Sequence, residues 1–297
     1  MYSDDDPPDA EPPDANRPDA EPLDAEPLDA EPLSYLAHLA RDSARFVDVL
    51  RIATPRTRVP SCPDWDADDL LWHLAEVQWF WGAIVGRGLT TDAEVEALVR
   101  GPRPADRDGL LAHFSRASAD LQQNLRAASP QTRAWTWSDD RTVGFILRRQ
   151  AHEAMIHRLD AELTTGRRTP MDASLSADGI DEVLRFLDVP APSGCESRPD
   201  QAQTVLLRTT DHVRSWLVTL GQLTGIEDDG TPRDDPDLTV VALDCGSGTS
   251  KPAATVSGVA ADLGCWLWHR PPMGEVTRTG DPRVLERFDQ TMASALS

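Results

Sequence analysis

The chain has 297 residues, of which 40 % are hydrophobic, and it carries a formal net charge of −21. Because the chain is so acidic, we expect neither nucleic acid nor an anionic membrane surface as its partner. No apolar run reaches the length of a membrane span, and no signal-peptide pattern opens the chain. The four cysteines have no C-x-x-C spacing, which is typical of a reducing compartment. We therefore predict a cytoplasmic protein of two domains.

The first segment, residues 1–33, repeats a unit of five residues, as in DAEPP, DANRP and DAEPL. Proline in each unit prevents a regular helix, and the closely spaced carboxylates repel one another. We predict a disordered acidic tail that lies outside the folded domains. Its composition favours a solubilising tail, or an extension from an upstream start codon, over an interaction arm.

Between residues 34 and 170, hydrophobic residues recur with helical spacing in four segments. The loop RTRVPSCPDWD separates the first two segments. The predicted helices are 34–54, a helix that follows the N-cap Asp66, 106–128, and a helix from about 142 that ends before the capping residue Gly166. Four amphipathic helices of this length predict a four-helix bundle, a fold that places metal sites in its core.

The remaining segment, residues 171–297, predicts a smaller α+β domain with a mostly antiparallel sheet. Its strand candidates are short runs rich in β-branched residues, namely TVLLRTTD, SWLVTLG, LTVVALD and AATVSG. Its helix candidates are 176–188, 260–269 and 282–295. We read residues 190–200 as a linker-like run and the GSGTSK at 246–251 as a turn, since it lacks the spacing of a phosphate-binding loop.

The fourth predicted helix carries polar residues along the middle of its apolar face. On a helix, Glu153 and His157 lie about 40° apart, with Asp160 beside them. The residues that take the opposite face are Arg148, Arg158 and Glu162. Buried charge is costly unless it is paired or binds a metal, so this helix alone leaves open a buried histidine–carboxylate network or a metal site. In the second helix His73 also lies on an apolar face, and two histidines with one glutamate suit a divalent metal that keeps an open position.

Four motifs resemble the mycothiol-dependent maleylpyruvate isomerase family: PSCPDWDADDL with the following histidine, HEAMIHRLDAE, VSGVAADLGCWLWHR and TGDPRVLERF. The resemblance extends over about 34–297 and leaves the acidic tail outside. It implies a DinB-like metal-binding bundle and a sterol-carrier-like C-terminal domain. It also implies a zinc site of His73, Glu153 and His157, with Arg270 at a position where the family often has an arginine that faces the site.

The resemblance further implies mycothiol as a thiol cosubstrate and a small electrophilic substrate such as maleylpyruvate. In that reading the thiolate adds to an activated C=C bond, the bond rotates and the thiolate leaves; a transferase would stop at the adduct. We expect Asp160 to orient an imidazole N–H or to pair with Arg149, and Arg270 to hold a carboxylate or to be a surface residue. His152 is interpreted as structural and Cys62 as an ordinary buried thiol.

Three hypotheses about function remain open at this point. The first is a metal-dependent isomerase or S-transferase that uses a thiol, with zinc or another divalent metal. The second is a metal-dependent hydrolase that uses a bound water. The third is a metal-binding module without catalytic activity.

Overall fold

The computed structural model describes residues 33–243 and 251–295. The predicted acidic tail, residues 1–33, lies outside the described residues except for its last position. The predicted turn at 246–251 also lies outside them, except for Lys251.

The N-terminal part is a helical bundle, as predicted. Its helices are α1 (Tyr35–Ile52), α2 (Ala67–Arg87), α3 (Asp92–Glu96), α4 (Arg107–Ala127) and α5 (Val143–Thr165). α1 packs mainly against α5, and α2 packs mainly against α4. The short helix α3, a single turn capped by Thr91, was not expected from the sequence.

The ends of α2 and α5 follow from local sequence. The Asp66 carboxylate accepts hydrogen bonds from the backbone N–H groups of Asp68 and Asp69, both at 3.0 Å. The Asp69 carboxylate in turn accepts a hydrogen bond from the Asp66 N–H at 3.1 Å. This capping box fixes the start of α2, and thereby the turn on which His73 lies. Gly88 and Gly166 end α2 and α5 with φ angles of 65° and 68°, in the left-handed region that glycine adopts most easily.

Helix α5 is buried on both sides, which the sequence reading did not anticipate. The side expected to lie opposite the core includes Arg158, which is 3 % exposed, and Glu162, which is fully buried. Arg158 pairs with Asp42 of α1 at 3.1 Å and with Glu162 at 3.0 Å. The expectation was wrong because α1 packs along this side of α5 and supplies charged partners for it.

The loop between α1 and α2 contains a small antiparallel hairpin that was expected to be irregular. Its strands are β1 (Arg58–Val59) and β2 (Cys62–Asp66). The hairpin turns at Pro60 and Ser61. It therefore brings Ser61, Cys62 and Trp65 next to the helices of the bundle.

The C-terminal part has the α+β architecture predicted. Its elements are α6 (Ala173–Leu187), β3 (Cys195–Thr209), β4 (Ser215–Ile226), β5 (Pro232–Leu243), β6 (Ala254–Gly258), α7 (Ala260–Leu267), β7 (Thr277–Gly280) and α8 (Pro282–Ala295). Within the described residues the strands form one sheet in the order β5-β4-β3-β6-β7. The β3–β6 pair is parallel and the other pairs are antiparallel.

The sheet is longer than the sequence indicated. β3 begins at Cys195, inside the run that was read as a linker, and pairs with β4 as far as Gly225. Alternate residues of β4, from Trp216 through Val218 to Leu220, point into a core shared with the helices of this part. Most residues of 196–202 are exposed, so their composition resembled a linker although they belong to the strand.

Candidate metal centre

Helix α5 places Glu153 and His157 one turn apart on the side that faces α2. Nε2 of His157 lies 3.1 Å from Oε1 of Glu153. Both side chains are largely buried, at about a tenth exposed or less. Spacing of four residues on a helix brings such side chains together, as the sequence predicted.

His73 of α2 completes the cluster. Its Nε2 lies 3.4 Å from the same Oε1 of Glu153, and its ring centroid lies 4.8 Å from that of His157. One ligand atom from each of His73, Glu153 and His157 can be chosen so that all lie within 4.8 Å of one another. The structure therefore brings together the three residues that were predicted to bind a metal.

Asp160 contacts the other nitrogen of His157. Its Oδ2 lies 3.0 Å from Nδ1 of His157. Because a carboxylate only accepts hydrogen bonds, Nδ1 carries a proton and Nε2 is the nitrogen directed at Glu153. Burial opposes the charged imidazole, but the bonds to Asp160 and Glu153 outweigh burial and raise the pKa of His157 to about 9. Of the two contacts expected for Asp160, the structure has the one with His157.

Arg270 reaches the cluster from the segment after α7. Its Nε lies 3.0 Å from Oδ1 of Asp160 and its Nη2 lies 2.9 Å from Oδ2, a bidentate pair. Ser61 of the hairpin also donates to Oδ1. Burial raises the pKa of Asp160, but the bonds from His157 and Arg270 outweigh it and hold that pKa well below its usual range. In this structure the Arg270 fork binds Asp160 and is not left at the surface.

Arg149 binds the oxygen of Glu153 that the histidines leave free. Its Nη2 donates to Oε2 of Glu153, and its Nη1 lies 3.3 Å from Oε2 of Glu182 on α6. Burial raises the pKa of Glu153, but the Arg149 charge and the bonds from His157 and His73 hold it well below the usual range. The sequence reading missed this contact, although the i,i+4 spacing of Arg149 and Glu153 on α5 is a signal for it.

The β1–β2 hairpin forms one wall of the centre. The Trp65 indole lies with its centroid 4.6 Å from the His73 ring and 6.3 Å from the His157 ring. Sγ of Cys62 lies 3.8 Å from Nη2 of Arg270. Burial and the Asp160 carboxylate raise the pKa of Cys62, so this thiol is not activated as a nucleophile.

His152 belongs to a second cluster, which shares Glu182 with Arg149. Its Nε2 lies 3.0 Å from Asp178 and its Nδ1 lies 2.9 Å from Glu182, both on α6. The Asp178 carboxylate also accepts bonds from Arg148 and from the Tyr35 hydroxyl, each at 2.8 Å. These contacts agree with the interpretation of His152 as structural.

The sequence matches two family models that together span most of the chain. "Mycothiol maleylpyruvate isomerase N-terminal domain" matches residues 36–162, and "MDMPI C-terminal domain" matches residues 174–287. The chain belongs to the mycothiol-dependent maleylpyruvate isomerase family. The resemblance drawn from the motifs is thereby confirmed, and membership of this family identifies the chain as an enzyme.

Two solved structures of a mycothiol-dependent maleylpyruvate isomerase are similar to this chain. One aligns with a TM-score of 0.43 at 11 % identity, and a histidine-to-alanine mutant aligns with 0.45 at 10 %. Each alignment covers 82 % of this chain and 91 % of the other. A comparison with curated proteins found no match. Among the described residues, none of the helices is long and apolar enough to cross a membrane.

Proposed function

We propose that this family member is a metal-dependent enzyme that uses a small-molecule thiol, mycothiol. The enzyme would either isomerise a small electrophilic substrate such as maleylpyruvate or transfer the thiol to it. The metal, zinc or another divalent cation, would be held by His73, Glu153 and His157. The observation that carries the proposal is the convergence of these three side chains from two helices at one point.

The donor set fits a divalent cation. Two imidazole nitrogens lie on one carboxylate oxygen, at 3.1 Å and 3.4 Å, so protons or a cation must separate three electron-rich atoms. With a cation bound, the Asp160 contact would keep the His157 proton on Nδ1 and leave Nε2 to bind the cation. Three protein ligands of this kind leave a fourth position open, as in catalytic zinc sites. His73 keeps a third of its side chain exposed, so the cluster is accessible from that side.

A divalent cation in this position supplies the positive charge that favours the thiolate form of a thiol placed beside it. The chain's own residues position the reactants. Trp65 gives an apolar wall beside His73, and Arg270 and Asp160 keep His157 in place. Burial and the Asp160 carboxylate raise the pKa of Cys62, so the proposal assigns the role of nucleophile to the external thiol.

The proposed isomerisation begins when the thiol gives its proton to solvent. The thiolate sulfur then bonds to one carbon of a C=C bond conjugated to a carbonyl, whose oxygen takes the negative charge. The former double bond is then single and can rotate. The C–S bond breaks as the C=C bond re-forms in the other geometry, and the thiolate is returned unchanged.

Metal analysis of the purified protein, followed by calorimetric titration with mycothiol, tests the proposal. We expect about one zinc per chain, and heat of thiol binding only in the metal-loaded protein. His73→Ala should lose the metal. His113→Ala is the matched control, since His113 contacts Glu76 at 2.9 Å outside the centre and should leave metal content unchanged.

Each part of the proposal has its own contradicting result. Full metal occupancy in His73→Ala would remove the proposed ligand set. Metal without any thiol binding would instead favour a hydrolase that uses bound water. Absence of metal from the wild-type protein, even after incubation with zinc, would favour a module without this chemistry.

A further inference from the structure

Glu153 has two carboxylate oxygens with different surroundings. Oε1 faces the His73 and His157 imidazoles, whereas Oε2 accepts a hydrogen bond from Nη2 of Arg149. Glu153 is only 9 % exposed, so water has little access to either oxygen. The two oxygens are therefore distinguished by the protein before any ligand binds.

Arg149 is itself held from two directions by α6. Its Nη1 lies 3.3 Å from Oε2 of Glu182, and its guanidinium carbon lies 5.6 Å from the centre of the Phe186 ring. The Glu182 side chain is almost completely buried and also contacts His152 at 2.9 Å. A planar guanidinium with one edge on each carboxylate and one face on an aromatic ring has little freedom to turn.

We propose that Arg149 is a positioning residue for the metal centre, which it serves by occupying Oε2 of Glu153 so that only Oε1 is offered to the cation. The inference rests on the proposed metal function. Glu182 and Phe186 support Arg149, so α6 takes part in forming a centre whose ligands lie on α2 and α5.

The physical reason is the cost of an unpartnered buried oxygen. Without Arg149, Oε2 would lie in the interior with no donor, and the carboxylate would rotate to share both oxygens with the cation. Such a bidentate carboxylate would use the coordination position that a thiol needs. Arg149 therefore keeps that position open, in addition to fixing the direction of Oε1.

Metal affinity and coordination geometry test this role without any measurement of turnover. Zinc affinity is measured by competition with a chromophoric chelator, and geometry by the visible absorption of the Co²⁺-substituted protein, which weakens as coordination number rises. In Arg149→Gln we expect zinc affinity to fall by about 10–100-fold, as for other residues that orient metal ligands, because the loss of a pre-positioned carboxylate outweighs the gain of a second oxygen ligand. We also expect the Co²⁺ bands to weaken.

Two further variants grade the effect. Arg149→Lys keeps the charge but loses the fork, so it should recover part of the affinity while the Co²⁺ spectrum stays altered. Glu182→Gln should shift both readouts in the same direction as Arg149→Gln, by a smaller amount. Arg148→Gln is the matched control, because Arg148 binds Asp178 and Asp181 and does not bind Glu153.

Wild-type affinity and spectrum in a folded Arg149→Gln would overturn the inference, as would equal changes in Arg148→Gln. If Arg149→Gln does not fold, as judged by circular dichroism, unchanged readouts in Arg149→Lys and Glu182→Gln overturn it instead. Failure of the wild-type protein to bind Zn²⁺ or Co²⁺ refutes the proposed function together with this inference. Normal binding in wild type with no effect of Arg149→Gln refutes this inference alone.

Discussion

Two histidines five positions apart on α5 have the same kind of partners and different surroundings. His152 lies between Asp178 and Glu182, at 3.0 Å and 2.9 Å, and His157 lies between Asp160 and Glu153, at 3.0 Å and 3.1 Å. A buried histidine between two carboxylates is therefore not by itself a sign of a metal site. The differences around the two histidines have to be sought in their other neighbours.

The carboxylates around both histidines are shared with arginines, which around His157 are Arg270 and Arg149. Around His152 the same holds. Arg148 binds Asp178 and Arg149 binds Glu182, while the His152 side chain is 3 % exposed. Around His157, Oε1 of Glu153 faces a second imidazole, and that imidazole belongs to the partly exposed His73. A site suited to a cation is therefore marked by a carboxylate oxygen that two imidazoles share and by access from solvent. Burial of a histidine alone does not mark it.

Substitution by alanine is expected to reduce metal binding at His157 and stability at His152. His157→Ala removes a proposed ligand. Zinc affinity should therefore fall by more than about 100-fold, the upper end of the loss for residues that only orient ligands. Zinc competition titration of both variants measures this, and the isomerase activity should be lost in parallel. Retention of wild-type zinc affinity in a folded His157→Ala would show that His157 is not a metal ligand and that the two clusters do not differ in metal binding.

His152→Ala should instead lower the free energy of unfolding by about 3 kcal/mol, because it leaves two buried carboxylates with fewer partners. Urea unfolding at neutral pH measures the change. The variant should still bind one zinc per chain when folded. Loss of metal from folded His152→Ala would mean that His152 itself, and not only Arg149 and Glu182, is needed to hold the metal.

Asp160→Asn tests the carboxylate that contacts both His157 and Arg270. An amide is a weaker acceptor for the His157 Nδ1–H and a poor partner for Arg270, so zinc affinity should fall by about 10–100-fold. The same titration measures it. Ser61→Ala is the control, since it removes one donor to Asp160 and keeps the carboxylate. An equal loss in Ser61→Ala would assign the effect to packing of the hairpin.

The sequence was sufficient for the parts of the centre that depend on helical periodicity. His73, Glu153 and His157 lie on faces that the 3.6-residue repeat identifies, and the Asp66 cap fixes the phase of α2. The burial of Arg158 and Glu162 escaped this reasoning, because periodicity shows which face is apolar and not whether a neighbour covers the polar face. Charged residues there find partners on α1 that are remote in sequence.

Contacts between distant segments were beyond the sequence for the same reason. The motif containing Arg270 suggested proximity to the site, but its bidentate pairing with Asp160 joins residues 110 positions apart. Trp65 and Ser61 lie in a segment with turn-forming residues, and their role depends on a hairpin whose strands are only two and five residues long. Short strands of this kind carry too little periodicity to be recognised.

A smaller change in stability is expected from Tyr35, whose hydroxyl donates to Asp178 in the His152 cluster. Burial, together with the charge and hydrogen bond of Asp178, raises the pKa of Tyr35 from 10.0 to about 12. Since the folded state favours the neutral phenol, its contribution to stability is complete below about pH 10 and is lost as pH rises through about 12. Tyr35→Phe removes the hydroxyl and should cost about 1 kcal/mol at neutral pH.

The stability difference between wild type and Tyr35→Phe should therefore shrink between pH 9 and pH 11, which urea unfolding at the two pH values measures. Tyr2 is present in both proteins, so its ionisation cancels in the difference. A difference that grows with pH would mean that the phenolate is favoured in the folded state. That result would contradict a cluster in which the Asp178 carboxylate is the acceptor of the Tyr35 hydroxyl.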